Sequence, residues 1–160
     1  MPAVLAAALL FSSAPAESGA FPARVLDIHN AERQRLAVAP LSWDEDLARD
    51  AADWARVLAR KGHLEHSSQR SQGENLWMGT RGHYSPEHMI GAFVGERSQF
   101  RAGRFPAVSR TGNWADVGHY TQLIWPGTQK VGCALASDGR WDVLVCRYWP
   151  AGNVMGRMVP

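Results

Sequence analysis

The chain has 160 residues, 46% of them hydrophobic and 20% charged, with a formal net charge of +2. That length suits one globular domain with its own core, and so balanced a charge excludes the strong basic field of a nucleic-acid binder. Lys61 and Lys130 are the only lysines, and the arginines, scattered without a run, read as a solvated surface.

In chain order, Ala3 to Phe11 is an unbroken apolar stretch followed by Ser12-Ser13-Ala14-Pro15-Ala16. A short apolar run before small residues is the pattern of a secretory signal peptide over residues 1–20, with cleavage after Ala16 or Ala20. The run is about half of what spans a bilayer, and no other segment approaches that length. The expected mature chain, residues 21–160, is therefore a protein without a transmembrane segment, secreted to the extracellular space or the periplasm. We expect a monomer.

The first helix is predicted over residues 22–36, opened by Pro22, with Val25, Ile28, Glu32 and Leu36 on one side and His29 beside them. Ser42 with Glu45 three residues later forms a capping-box pattern for a second helix. Leu47, Ala51, Trp54, Ala55 and Leu58 repeat at helical spacing until Gly62 stops it. Gly73 to Gly79 reads as a short strand. Ser85-Pro86-Glu87 then opens a third helix as N-cap, first-turn proline and first-turn acid. Its stripe is Met89, Phe93 and Phe100, and Glu96 falls on the same stripe. A carboxylate on the buried side of a helix is costly without a partner, so Glu96 asks for a functional explanation.

Residues 130–136 and 141–149 alternate as strands around Asp138-Gly139, a hairpin signal. Helices, a strand, a helix and a hairpin suggest an α+β fold, with helices packed on an antiparallel sheet. Cys133 and Cys146, the only cysteines, suggest a disulfide in an exported protein. Strand register tests this. A two-residue Asp138-Gly139 loop sets Cys133 opposite Leu144, leaving Cys146 on a diagonal too distant for a bond. Pairing Cys133 with Cys146 instead pairs Ser137 with Asp142. The loop then spans Asp138 to Trp141, or tightens to Gly139-Arg140 as a type II′ turn, unless a bulge intervenes.

His66 and His119 are candidate metal ligands, with Glu74 and Glu96 as carboxylate partners. On spacing alone this quartet is one of many, and His63 with His66 forms a competing H-x-x-H pair. Four sets of residues add weight. Gly118-His119-Tyr120-Thr121-Gln122-Leu123-Ile124-Trp125 and Val143-Leu144-Val145-Cys146-Arg147-Tyr148-Trp149-Pro150-Ala151-Gly152-Asn153 resemble the two signatures of the CAP superfamily. His29-Asn30 with Arg33, and His66-Ser67 followed by Gly73-Glu74-Asn75-Leu76, resemble its upstream motifs. This superfamily of SCP domains includes cysteine-rich secretory proteins, antigen 5 and pathogenesis-related group 1 proteins. The resemblance covers residues 25–156.

It implies a three-layer α-β-α sandwich with a central antiparallel sheet, and an open cleft holding His66, Glu74, Glu96 and His119. In that cleft the imidazoles would ligate zinc weakly and reversibly, and the carboxylates would orient them or activate bound water. We expect a minimal domain without a cysteine-rich C-terminal extension, and the Arg-rich, Lys-poor composition would suit a GC-rich bacterial genome. Two functions compete. The first is a secreted binding module whose cleft takes a divalent metal and a lipid, sterol or peptide. The second is a metal-dependent, peptidase-like hydrolase with Glu74 or Glu96 as general base. A protease variant using Ser67 lacks any motif that would activate that serine. Trp43, Trp77, Trp114, Trp141 and Trp149 line either the core or an aromatic groove.

Overall fold

The computed structural model describes residues 20–160, so the expected signal peptide, apart from Ala20, lies outside the described residues. Helix α1 runs Ala20–Arg35 and buries Val25, His29, Glu32 and Arg33. Three of these are polar and each is partnered, as burial demands. Arg33, fully buried, donates to the carbonyls of Ala39 (2.7 Å), Leu123 (3.0 Å), Trp125 (3.0 Å) and Thr128 (2.9 Å). Burial lowers its pKa to about 10. It fastens the loop after residue 123 to α1, so this arginine is a structural bolt and no part of a solvated surface. Arg97 reaches Glu32 at 2.8 and 3.0 Å.

Strand β1 is Ser42–Trp43 and helix α2 is Glu45–Lys61. The helix cap is Asp44, whose side chain accepts from the N–H groups of Asp46 and Leu47. The Ser42 capping box does not form, because the backbone of Ser42 is committed to strand pairing. Gly62, at φ 69°, stops α2 as expected. Strand β2 is Gly73–Thr80, β4 is Lys130–Ser137 and β5 is Trp141–Trp149. With β1 they form a four-stranded sheet in the order β1-β4-β5-β2. The β2-β5-β4 core is antiparallel, and β1 adds a parallel edge through Ser42↔Lys130 and Trp43↔Val131. The expected antiparallel sheet is present in β2, β5 and β4, with β1 as one parallel edge strand.

Helix α3 covers Pro86–Gly95, capped by Ser85. It does not reach Phe100 as its stripe suggested, but tightens into a 3-10 turn at Glu96–Gln99. A second 3-10 turn at Trp114–Val117 leads into helix α4, Gly118–Leu123. The two-residue strands β3, Gly103–Arg104, and β6, Met158–Val159, pair with each other.

Strand alternation sorts the core into two layers. Val143 and Val145 of β5 and Leu76 of β2 pack with Ala51, Ala55 and Leu58 of α2. Leu144, Cys146 and Tyr148 face the opposite way, among Val25 of α1, Met89 and Phe93 of α3 and Tyr120 of α4. This is an α-β-α sandwich. On the α2 side, a Cβ on Gly132 would lie 2.3 Å from the Ala48 backbone nitrogen, so helix and sheet touch there only because position 132 has no side chain.

Cys133 and Cys146 are directly opposed and joined by a disulfide, with Cα atoms 4.1 Å apart. Ser137 pairs with Asp142, as that register requires. Of the two loop alternatives the wider one occurs. Asp138 Oδ1 accepts from the N–H groups of Arg140 (2.8 Å) and Trp141 (2.7 Å), an Asx turn. Gly139 is not among the glycines at positive φ, which a type II′ turn would demand.

Candidate functional site

The site lies at the start of edge strand β2, where both helical layers reach around the sheet. From the α2 side comes the first histidine–carboxylate pair. Glu74 is on β2 with its side chain only 7% exposed, and Arg147 stands opposite it on β5. Arg147 Nη1 lies 3.0 Å from Glu74 Oε2 and donates to Ser67 Oγ at 2.9 Å. The Glu74 contact is out of hydrogen-bond alignment and Arg147 Nε has no partner among the described residues, so the pair is joined by charge more than by direction. Glu74 Oε1 accepts from the Ser67 N–H at 3.1 Å and lies 2.6 Å from His66 Nδ1. Burial pushes the Glu74 carboxyl upward, but the His66 bond, the Arg147 charge and the Ser67 N–H outweigh it and hold it below its ordinary range. The same bond raises His66, against partial desolvation.

The opposite layer supplies the second pair. Glu96, in the tightened turn after α3, sends Oε2 to the N–H groups of His119 and Tyr120, both at 3.0 Å. Those are unsatisfied donors of the first turn of α4, where a carboxylate is favoured. Glu96 Oε1 lies 2.5 Å from His119 Nδ1. Phe93, one turn earlier on α3, stacks on the imidazole at 4.9 Å and 19°. The carboxylate on the apolar stripe is thereby explained: it caps one helix and aims one ring.

Asn75, buried between the layers, donates Nδ2 to the His119 carbonyl (3.0 Å) and to the Tyr148 hydroxyl oxygen (3.2 Å). Tyr148 therefore turns its own O–H toward His29 Nε2 at 2.9 Å. His29 keeps its proton on Nδ1, facing the Val25 carbonyl at 2.8 Å. Burial lowers the His29 pKa to about 4. His29 is a neutral structural histidine, despite its place in an upstream motif.

Both His66 and His119 thus spend Nδ1 on a carboxylate, and neither Nε2 has a hydrogen-bond partner among the described residues. Both line one open cleft of about 390 Å³, with Glu74, Asn75, Arg70, Trp114, Gln122 and Asn153 among its walls. Glu96 stands behind His119 and does not line it. His63 is elsewhere, beside the Lys61 carbonyl and Glu65, so the H-x-x-H alternative does not assemble. Ser67 Oγ is bonded to Arg147 and to no histidine. Among the described residues no cluster of three or more His, Cys, Asp or Glu is gathered to hold an ion, which leaves a donor set of two imidazoles. Of the unassigned tryptophans, Trp114 is an exposed cleft wall and Trp149 is exposed, while Trp43, Trp77 and Trp141 are half-buried.

Sequence reasoning missed Arg147 and Asn75. Arg147 had a signal: it is the charged residue in an otherwise apolar strand, Val143 to Trp149, and an arginine at a core-facing position needs an acid. Asn75 had none, because its partners are a carbonyl and a hydroxyl brought in from distant segments.

The three-layer sandwich is the fold that the CAP resemblance implied, and solved structures share it. Residues 26–148 match the CAP, Cysteine-rich secretory protein family, and the chain belongs to that family. It is 32% identical over 138 residues to a "Pathogenesis-related protein PR-1 type" of Sambucus nigra, covering 85% of this chain and 80% of the relative. It is 35% identical over 140 residues to "Secreted protein RBT4" of Candida albicans, covering 85% of this chain and 36% of that longer protein. The fold matches the crystal structure of NaASP2 with Zn2+ at a TM-score of 0.73 and 23% identity, covering 91% of this chain and 88% of that one. Among the described residues no helix is long and apolar enough to cross a membrane.

Proposed function

We propose that the protein is a secreted CAP-domain binding module whose cleft takes up zinc weakly and reversibly through Nε2 of His66 and His119. One observation carries the reading: each imidazole is held through Nδ1 by a carboxylate of its own, which fixes the ring and its tautomer and leaves Nε2 unpartnered at a shared cleft. Two imidazoles suit a borderline metal such as Zn2+, with water completing the shell. Zinc bound there would supply Lewis acidity toward a ligand in the cleft. The NaASP2 structure with Zn2+ supports the choice of metal, and the secreted relative, with the apolar stretch at residues 3–11, supports an extracellular or periplasmic site of action.

Binding is favoured over hydrolysis because both carboxylates are engaged. Glu74 Oε1 serves His66 and Ser67, and Glu96 spends both oxygens on His119 and Tyr120. Glu96 thus has no oxygen to spare, and the remaining Oε2 of Glu74 is buried against the Arg147 guanidinium, whose charge weakens it as a general base toward a bound water. The wider cleft, with Trp114 on one wall, would take a lipid, sterol or peptide ligand beside the metal.

Isothermal titration with zinc tests the reading. The wild type should bind in the micromolar to millimolar range, with a matching rise in melting temperature from preferential binding to the folded state. His119→Ala should remove the binding while leaving the fold intact. A flat titration of the wild type rejects the metal site.

A further inference from the structure

The two most exposed large apolar side chains, Met155 and Met158, are not among the cleft walls, whereas Trp114 is one of them. Val154, Met155 and Met158 near the C-terminus are 45%, 64% and 56% exposed, and Trp114 is 40% exposed. They are not on a loose tail. The Arg157 N–H donates to the Val154 carbonyl at 3.2 Å and closes a tight turn. Gly156 sits in it at φ 77°, the left-handed conformation that the third position of a type II turn requires. The turn is pinned from the side: the Gly156 N–H donates to the Phe105 carbonyl and the Phe105 N–H to the Arg157 carbonyl, both at 2.8 Å. Turn tips are ordinarily Gly, Asn, Asp, Pro or Ser. Here the tip is Met155, held outward by backbone bonds on both flanks.

The charge around the turn is positive, with Asp116, tied to Thr111 and Asn113, as the acid at the Trp114 end. Arg104 is directly opposite Met158 in the β3-β6 pair and donates to the Gly156 carbonyl. Arg157 closes the turn, and Arg101 and Arg110 flank the segment that carries β3 and Phe105. All four are exposed, and none has a carboxylate partner among the described ion pairs. Residues 97–115 and 143–160 contain no Asp or Glu at all. Phe105 joins this face to the cleft, since its ring lies 5.2 Å from that of Trp114, a cleft wall.

We infer that this face docks the protein on an anionic lipid surface. Exposed thioethers and a tryptophan carry apolar area into the headgroup region, and unpaired arginines supply the attraction to lipid phosphate. A protein partner would have to bring its own acids to four arginines, whereas an anionic bilayer offers negative charge everywhere. Docking through Trp114 and the 154–158 turn sets the mouth of the cleft beside the bilayer.

The test is co-sedimentation of protein recovered from the secreted fraction with vesicles. One set is phosphatidylcholine alone and the other a mixture with phosphatidylglycerol. The protein should partition to the mixed vesicles and release as salt is raised. An arginine near an anionic surface is worth about fivefold in partitioning, so Arg104→Ala with Arg157→Ala should lower it roughly 25-fold. Met155→Ser with Met158→Ser should lower it roughly tenfold or more through lost apolar insertion. Arg49→Ala with Arg56→Ala, on α2, should change it little. Equal sedimentation with neutral vesicles, unaffected face variants, or an equal loss in the α2 control would each overturn the proposal. So would self-association that vanishes in the face variants while vesicles go unbound.

Discussion

The two histidine–carboxylate pairs have the same chemistry and opposite construction. His66–Glu74 is anchored by charge: its carboxylate is buried on a strand, faces a buried arginine across the sheet, and holds an imidazole that is 68% exposed. His119–Glu96 is anchored by packing and capping: its carboxylate ends one helical segment and starts another, and its imidazole stacks on Phe93. On the sheet Glu74 finds a single free N–H, that of Ser67, so an arginine must supply the rest of its neutralisation. A helix N-terminus offers Glu96 two, so no cation is needed. The cleft therefore draws one imidazole from each layer of the sandwich and secures each by the means that its layer supplies.

Arg147→Ala should break this contrast most severely. It leaves the Glu74 carboxylate buried without its cation, a loss of about 3–5 kcal/mol in urea unfolding. Removing Glu74 in the same chain should recover part of it. A loss below about 1 kcal/mol would show that charge does not anchor the first pair.

His29 sharpens the comparison, because it is a histidine with no carboxylate. Its folded pKa is depressed to about 4 from 6.5, so below pH 6.5 the unfolded chain takes up a proton that the folded one refuses. Stability should fall as pH drops through that window, by about 3 kcal/mol at its lower end. The raised His66 has the opposite sign: its contribution is complete below pH 6.5 and is lost as pH rises through its folded value. Unfolding free energies at neutral and mildly acidic pH, for the wild type and for His29→Gln, measure the first slope. An identical slope in the variant would assign the acid sensitivity elsewhere.

Glu96→Ala should have the smallest effect, about 1–2 kcal/mol, the ordinary cost of losing a helix cap. Because Phe93 still stacks on the ring, His119 should hold its place while losing its fixed tautomer, which nitrogen-15 shifts of the imidazole report. A penalty as large as that of Arg147→Ala would erase the difference between the pairs.

Much of the frame was legible without coordinates. Helix α2 and its Gly62 stop, the Ser85-Pro86 start of α3, the hairpin and the Cys133–Cys146 register follow from local rules: periodicity, capping chemistry, and the constant sum of residue numbers across an antiparallel pair. Glu96 was legible as an anomaly, since a charge on an apolar stripe must have a partner. Elsewhere local rules were overruled or left a choice open. The capping pattern pointed to Ser42, and the pairing of β1 with β4 leaves the cap to Asp44 instead. Asp138-Gly139 suits several loops, and the Asx bonds of Asp138 selected one.

The tertiary structure alone decided what neutralises what. Arg33 looks like any other scattered arginine in the sequence, and Arg147 shows there only as a charge in an apolar strand, yet one ties α1 to carbonyls about 90 residues away and the other holds Glu74 across the sheet. Asn75 links His119 to Tyr148 and so to His29. Periodicity reports which face of an element is buried, because burial depends on the element itself. The partner of a buried charge depends on which distant segment the fold brings within about 3 Å, and that distance exists only once the layers have closed.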